Sequence, residues 1–334
     1  MIIIPEDYKS KLDICQTEIA IKSIKDFFER DLADKLNLTR VSAPLYVMSN
    51  LGLNDNLSGV ERPVVFDVKS LDNKNVEIVH SLAKWKRVAL KRYDFPIGNG
   101  IYTDMNAIRR DEDLDNLHSI YVDQWDWELI IEKKDRNLNT LKKVVKDIFS
   151  VFKDTENYFR KLYPQLQLYL PDEITFISAQ ELLDLYPDKT PKIRENLISE
   201  KYKAVFVYGI GDKLSNGESH DGRAPDYDDW SLNGDILFWY PILNCAFEVS
   251  SMGIRIDEDS LKSQLEKADA LDRMNLEYHQ SILNRELPYT IGGGIGQSRI
   301  CMFFLHKAHI GEVQVSVWPD DMVKKCKENS ILLL

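Results

Sequence analysis

His118-Ser119-Ile120-Tyr121-Val122-Asp123-Gln124-Trp125-Asp126-Trp127-Glu128 is the stretch whose reading decides the fold. Taken as a strand, it has two unlike faces. Tyr121, Asp123, Trp125, Trp127 and Leu129 fall on one side; Ile120, Val122, Gln124, Asp126 and Glu128 fall on the other. The aromatic face belongs to a core. The second face ends in Gln124, Asp126 and Glu128, which an ordinary solvent-facing strand also carries. The flank changes the balance, because Arg109-Arg110-Asp111-Glu112-Asp113 and a short polar loop precede the strand. An arginine before a loop, followed by a strand with inward polar groups, suits an anionic ligand held against an antiparallel sheet.

The other bounds are consistent with such a fold. The chain has 334 residues, 44% hydrophobic and 29% charged, the composition of a soluble globular protein with a sizeable core. No apolar run approaches the ~18 residues of a membrane span, and the N-terminus lacks the charged and apolar regions of a secretory signal. Cys15, Cys245, Cys301 and Cys326 are scattered without CxxC pairing, which argues against structural zinc or a disulfide framework and for a reducing, cytoplasmic setting. The net charge of -11 disfavours nucleic-acid binding. The one basic cluster, Lys84-Trp85-Lys86-Arg87 with Lys91-Arg92, lies on a short helix and reads mostly as a solvated face.

Along the chain, residues 8–36 and 137–162 read as long amphipathic helices. Strands are expected at 40–47, 63–69, 75–80, 174–177, 204–208, 234–240, 245–251 and 312–318. Asp72-Asn73-Lys74-Asn75 marks a hairpin. Shorter helices are expected at 82–92, 258–268 and 271–284, with a capping box at Ser178/Glu181 and a proline start at Thr190-Pro191. Long helices with clustered hairpins, and no βαβ alternation, give an α+β fold: an antiparallel β-sheet flanked by helices. No Pro/Ser-rich linker divides the chain, so residues 1–334 read as one domain.

Several motifs have chemical potential. Gly292-Gly293-Gly294-Ile295-Gly296-Gln297-Ser298-Arg299 fits neither a Walker A loop nor GxGxxG, and reads as a tight turn opening a helix to about His306. Arg299 is then placed to stack on a planar ring. Asp235 and Glu248, on neighbouring strands, suit Mg²⁺, a hard ion that takes oxygen ligands. Arg255 is a surface arginine or a carboxylate clamp. Arg223-Ala224-Pro225-Asp226-Tyr227-Asp228-Asp229-Trp230 reads as a solvated acidic loop, or as a lid or ammonium-holding segment.

Together these runs, with Asp55-Asn56-Leu57-Ser58-Gly59, Val79-His80-Ser81-Leu82-Ala83-Lys84-Trp85-Lys86-Arg87, Asn233-Gly234-Asp235, Phe247-Glu248 and Ser250 to Arg255, resemble the type A asparagine synthetases, the aspartate–ammonia ligases. That family is similar in fold to the catalytic domain of class II aminoacyl-tRNA synthetases, lacks an anticodon-binding domain and is homodimeric. Arg109 with its strand, and Gly292 to Arg299, then look like the second and third class II motifs. Arg110 stands where the family carries proline, the Trp230–Asn233 connection is shorter than in some members, and the region before Asp55 matches loosely.

The resemblance implies that L-aspartate, ATP and ammonia give L-asparagine through a β-aspartyl-adenylate, releasing AMP and pyrophosphate. It places Arg109 on the α-phosphate and the activated carboxylate, and Gln124 on the reacting carbonyl. His118, Ser119, Val122, Val249, Ser250 and Arg299 fall at the nucleotide, with Asp235 and Glu248 holding Mg²⁺. Lys86 and Arg255 fall at the α-carboxylate of aspartate, Ser81 and Asp228 at its amino group, and Ser251 and Gly292 also at the substrate. Asp55, then Asp126, are the expected carboxylates for ammonium. Glu128 reads as a solvated or structural carboxylate.

Overall fold

The structure, a computed structural model, describes residues 2–55, 57 and 61–334. The first helix, α1 (Ile14–Leu36), starts later than residue 8, because Asp13 caps it. The Asp13 carboxylate accepts from Gln16 N–H while the Gln16 side chain accepts from Asp13 N–H. Asn37, left-handed at φ 55°, ends it and turns the chain into β1 (Leu38–Arg40). A small antiparallel sheet follows, β2 (Tyr46–Met48), β3 (Val65–Val68) and β4 (Lys74–Ile78), in the order β2-β4-β3. Asp72 and Asn73 both take positive φ in its turn, as the hairpin signal requires. The expected strand 40–47 is thus two pieces in two sheets.

Next come α2 (Ala83–Arg92), β5 (Gly100–Ile108), β6 (Tyr121–Ile130) and α3 (Leu138–Leu162), the last capped by Asn137. β7 (Thr175–Ser178) leads into α4 (Ala179–Leu185) through the Ser178/Glu181 capping box, and α5 (Pro191–Tyr202) starts on its proline. β8 (Ala204–Tyr208), β9 (Asp228–Tyr240) and β10 (Cys245–Arg255) form consecutive sheet strands. An insertion of α6 (Glu258–Lys267), a 3-10 turn and α7 (Glu277–Leu283) precedes β11 (Thr290–Gly296), α8 (Gln297–Phe304) and α9 (Asp320–Glu328).

The large sheet runs β1-β5-β6-β11-β10-β9-β8-β7. Its six central strands are antiparallel as expected, while both edge strands, β1 on β5 and β7 on β8, are parallel. One face is the core. Trp125 stacks on Phe28 of α1 at 4.8 Å, and Phe152 of α3 meets Phe238 of β9 edge-on at 5.0 Å. Gln124, Asp126 and Glu128 therefore point to the opposite face.

Two readings fail here. The glycine run is not a turn: Gly292 to Gly296 lie inside β11, paired with β6 and β10, and the helix starts only at Gln297. Residues 312–318 are not a strand either. Past a 3-10 turn at Ile310–Glu312 the segment runs extended without a ladder partner, leaving Val315 70% and Val317 66% exposed. The apolar alternation was present but no sheet edge receives it.

Candidate active site

A cleft of about 490 Å³ opens on the sheet face opposite Trp125 and Trp127. Asp55, Ser81, Lys86, Arg109, His118, Ser119, Val122, Gln124, Asp126, Asp228, Glu248, Val249, Ser250, Ser251, Arg255 and Arg299 all line it. Asp235 and Gly292 lie just behind the wall, the first against Arg223 and the second against Glu128 and Arg255.

One end of the cleft is closed and densely paired. Arg255 donates from Nε to Glu128 Oε1 at 2.9 Å and from Nη2 to Glu128 Oε2 at 2.7 Å, and its Nη1 binds Asp228. Thr290 donates its hydroxyl to Glu128 at 2.7 Å. Lys86 Nζ lies 3.0 Å from the Gly293 carbonyl, 3.1 Å from Asp126 Oδ2 and 3.8 Å from Glu128 Oε2. All five charged groups are buried. Glu128 is thus no solvated carboxylate: burial alone would raise its pKa, but Arg255 and Lys86 outweigh burial and hold it below its ordinary range. Burial pushes Lys86 down and Asp228 up.

The glycine strand makes this end possible. A Cβ on Gly292 would sit 2.0 Å from Glu128 Oε2, and one on Gly294 would sit 2.5 Å from Gln124 Oε1. Gly292, Gly294 and Gly296 face the cleft as a bare floor, over which the β6 side chains spread.

Two solvated readings are overturned as well. Lys84, Lys86 and Arg87 are buried, with Arg87 donating to the Pro288 and Ile256 carbonyls; only Lys91 and Arg92 are left outside this core. In the 223–230 segment Ala224, Asp226, Asp228, Asp229 and Trp230 are buried, and β9 runs unbroken from Asp228 through 230–233, so no loop exists at that connection.

The other end is open. Arg109 follows β5, its backbone N–H bonded to the Ile120 carbonyl, and its side chain comes only within 3.9 Å of Glu112. Its Nε is buried without a partner. His118 Nδ1 lies 2.8 Å from Asp115, and the Ser119 hydroxyl donates to Ser316 at 2.8 Å. Arg299 donates to the Glu248 carbonyl at 3.0 Å and stands 3.8 Å from its carboxylate, which is 44% exposed. Asp123, on the core-side face, holds α8 in place by accepting from Ser298 N–H and hydroxyl.

A β-bulge lets one strand serve both ends. The β9–β10 register shifts between Glu248 and Ser250. Phe247 and Val249 point to the core before it; Met252 and Ile254 do so after it. Glu248 and Arg255 therefore face the same cleft, although strict alternation puts them on opposite sides of the sheet.

Asp235 pairs across the sheet with Ser251 and is bound by Arg223. Burial, opposed by Arg223 and reinforced by Glu248, lifts its pKa to about 7. Its Oδ1 is buried without a partner. Two close carboxylates, one with an orphaned oxygen, fit a hard divalent cation. Among the described residues no group of three or more His, Cys, Asp or Glu forms a protein-only metal site, so a cation held here would need further ligands from outside the protein. Arg223 was not singled out in the sequence; its only signal was its place at the head of an acidic run.

Asp55, also buried, accepts from the Ser81 hydroxyl and from Leu57 N–H, both at 2.9 Å. Ser81 is thus tied to Asp55 as much as to the cleft. Asn56, Ser58 and Gly59 of the same motif lie outside the described residues.

Solved structures share this architecture. Pyrococcus horikoshii asparaginyl-tRNA synthetase complexed with asparaginyl-adenylate superposes with a TM-score of 0.65 over 91% of this chain and 70% of that one, at 16% identity. The Entamoeba histolytica asparaginyl-tRNA synthetase gives 0.61 at 15% identity, over 90% and 66%. The fold is that of a class II aminoacyl-tRNA synthetase catalytic domain. Sequence narrows it further. The model of the aspartate-ammonia ligase family matches residues 15–330. Aspartate–ammonia ligases of Ruminiclostridium cellulolyticum and Clostridium perfringens are 66% and 62% identical, each over 100% of this chain and 99% of theirs. The chain belongs to the aspartate–ammonia ligase family.

Proposed function

We propose that this protein makes L-asparagine from L-aspartate, ammonia and ATP through a β-aspartyl-adenylate. A carboxylate oxide is a poor leaving group, so the β-carboxylate must first be activated. One of its oxygens attacks the α-phosphorus, the bond to pyrophosphate breaks, and a mixed anhydride with AMP forms. Ammonia then attacks the acyl carbon and AMP departs with the bridging oxygen. The observation that carries this reading is the two-ended cleft: a closed end with Lys86, Arg255 and Asp228 buried and paired, charges of both signs that suit a zwitterion, continuous with an open end carrying Arg109 and Arg299.

Arg109, with an unpartnered Nε, neutralises charge as it builds on the α-phosphate, where a fixed donor counts most. Arg299 lies against adenine, bordered by His118, Ser119, Val122, Val249 and Ser250. Lys86 and Arg255 bind the α-carboxylate and Asp228 the α-ammonium, with Ser251 and Gly292 shaping the wall. Gln124 orients the β-carbonyl. Ammonium must lose a proton before it attacks; Asp55, with Asp126 second, binds it and takes that proton. Asp235 and Glu248 would hold Mg²⁺, which supplies charge neutralisation on the phosphates when bound. Residues 1–334 act as one catalytic unit, in the cytoplasm, as a homodimer; light scattering should give twice the chain's 38.8 kDa.

The test is a mixture of protein, aspartate, ATP, Mg²⁺ and ammonium, scored for asparagine and for AMP against ADP. Asparagine with AMP is expected, and ADP overturns the adenylate route. Asp55→Asn should still form adenylate yet need about tenfold more ammonium, a change of ~1.4 kcal/mol. Unchanged ammonium dependence removes Asp55 from that role.

A further inference from the structure

Asp226 lines no part of the cleft, yet it is fully buried and gathers three nitrogen donors on one oxygen. Lys84 Nζ lies 2.8 Å from Asp226 Oδ2, His279 Nε2 3.0 Å and Arg273 Nη1 3.3 Å. Lys84 also donates to the Asn54 carbonyl at 3.2 Å. Lys84 and His279 are as buried as the carboxylate, whereas Arg273 remains 21% exposed. Asp226 Oδ1 and His279 Nδ1 are buried without partners, so the cluster is held by one oxygen alone. Burial would raise the Asp226 pKa; Lys84 and His279 overcome it and hold the carboxyl well below its ordinary range.

The positions of these residues in the chain give the cluster meaning. Asn54 adjoins Asp55, Lys84 is one α2 residue away from flanking Lys86, and Asp226 comes shortly before Asp228. Asn54 grips its own loop further: its side-chain oxygen accepts from His80 N–H at 2.9 Å and Asp55 N–H at 3.0 Å, while its amide donates to Glu77 at 3.0 Å. Three separate segments, adjoining Asp55, Lys86 and Asp228, are thus joined through Lys84, which bridges the Asn54 carbonyl and the Asp226 carboxylate, and the α6–α7 insertion supplies His279 and Arg273 to that carboxylate. The open end is braced separately: Asp123 accepts from Lys25, Ser298 and Gln314 and so fixes α8, which carries Arg299.

We infer that Asp226, with Lys84 and His279, is a positioning hub that sets Asp55, Lys86 and Asp228 in mutual register for aspartate and ammonium, without acting on the nucleotide. The inference rests on the reading of the closed end given above. Its signature is a split between substrates. Asp226→Asn leaves Lys84 buried without its counter-charge and frees the three segments to shift. KM for aspartate and for ammonium should each rise about tenfold or more, while KM for ATP in pyrophosphate exchange stays within about twofold. His279→Ala should give the same split in weaker form, and supplies the measurement if Asp226→Asn does not fold. An equal rise in all three KM values, or lower melting temperature with all three unchanged, overturns the hub and leaves a merely structural cluster. Lys86→Gln separates the two levels. If it leaves KM for aspartate unchanged, the reading of the closed end is what fails. If it raises that KM and Asp226→Asn does not, the hub fails alone.

Discussion

The two ends of the cleft solve the same problem, holding an anion, in opposite ways. At the closed end every charge is spoken for before any ligand arrives: Glu128 and Asp228 clamp Arg255, and Lys86 is shared by Asp126 and the Gly293 carbonyl. At the open end the two arginines form no close pair with a carboxylate, Arg109 standing 3.9 Å from Glu112 and Arg299 3.8 Å from Glu248, whose carbonyl Arg299 binds instead. The difference follows the ligands proposed for each. A small zwitterion brings few contacts, so its site must be rigid in advance, and burial makes unpaired charge too costly there. A nucleotide brings its own phosphates, which would pair the open arginines on arrival.

The contrast can be broken by removing one group from each end. The largest expected effect is on Arg109, where Arg109→Ala should lower pyrophosphate exchange about 10²–10³-fold while melting stays near that of the parent. A melting loss as large as the activity loss would mean the open end is structural after all. Next comes Glu128→Gln, which should cost about 3–5 kcal/mol of stability, as expected when one member of a buried ion pair is lost. Denaturant titration reads this directly, and a cost near zero would show that the closed end is not pre-built.

The same residue gives a pH signature. Its folded pKa lies below the usual 4.5, so its contribution is fully present above that pH and is lost as pH falls through the lower folded value. Melting temperature should therefore fall less steeply below about pH 4.5 in Glu128→Gln than in the parent. The smallest effect belongs to Glu248→Gln, within about ±0.5 kcal/mol in stability because its carboxylate is partly solvated, yet with a raised Mg²⁺ requirement in exchange assays. A stability cost matching that of Glu128→Gln would erase the distinction between the two ends.

Much of this was legible in the chain. Alternation around Trp125 and Trp127 defined the core face and the site face, and the caps at Ser178 and Pro191 marked their helices. The burial of charge was not legible. Lys84, Lys86, Arg87 and the Asp226–Asp229 run look solvated in sequence because their counter-charges are distant in the chain; Lys84 meets Asp226, and Glu128 meets Arg255. The glycine run was misread for a related reason. Glycines weaken an isolated strand, and only the bulky carboxylates of the neighbouring strand explain why β11 needs them. Asp235 and Glu248 do fall on neighbouring strands, β9 and β10, but nothing in the local sequence marks the register shift that follows Glu248.

That shift divides β10 into two half-strands running out of phase by one residue. Each half has its own assignment of which side chains see substrate and which see core, and the two agree only because the extra residue absorbs the difference. Regular pairing that kept every residue would turn one half inside out, whereas deleting Val249 or Ser250 would remove the extra residue and leave both halves facing as they do. The nucleotide half and the amino-acid half of this strand can therefore be exchanged with those of a relative only if the irregularity travels with them, so that the spacing between Glu248 and Arg255 is inherited as a unit.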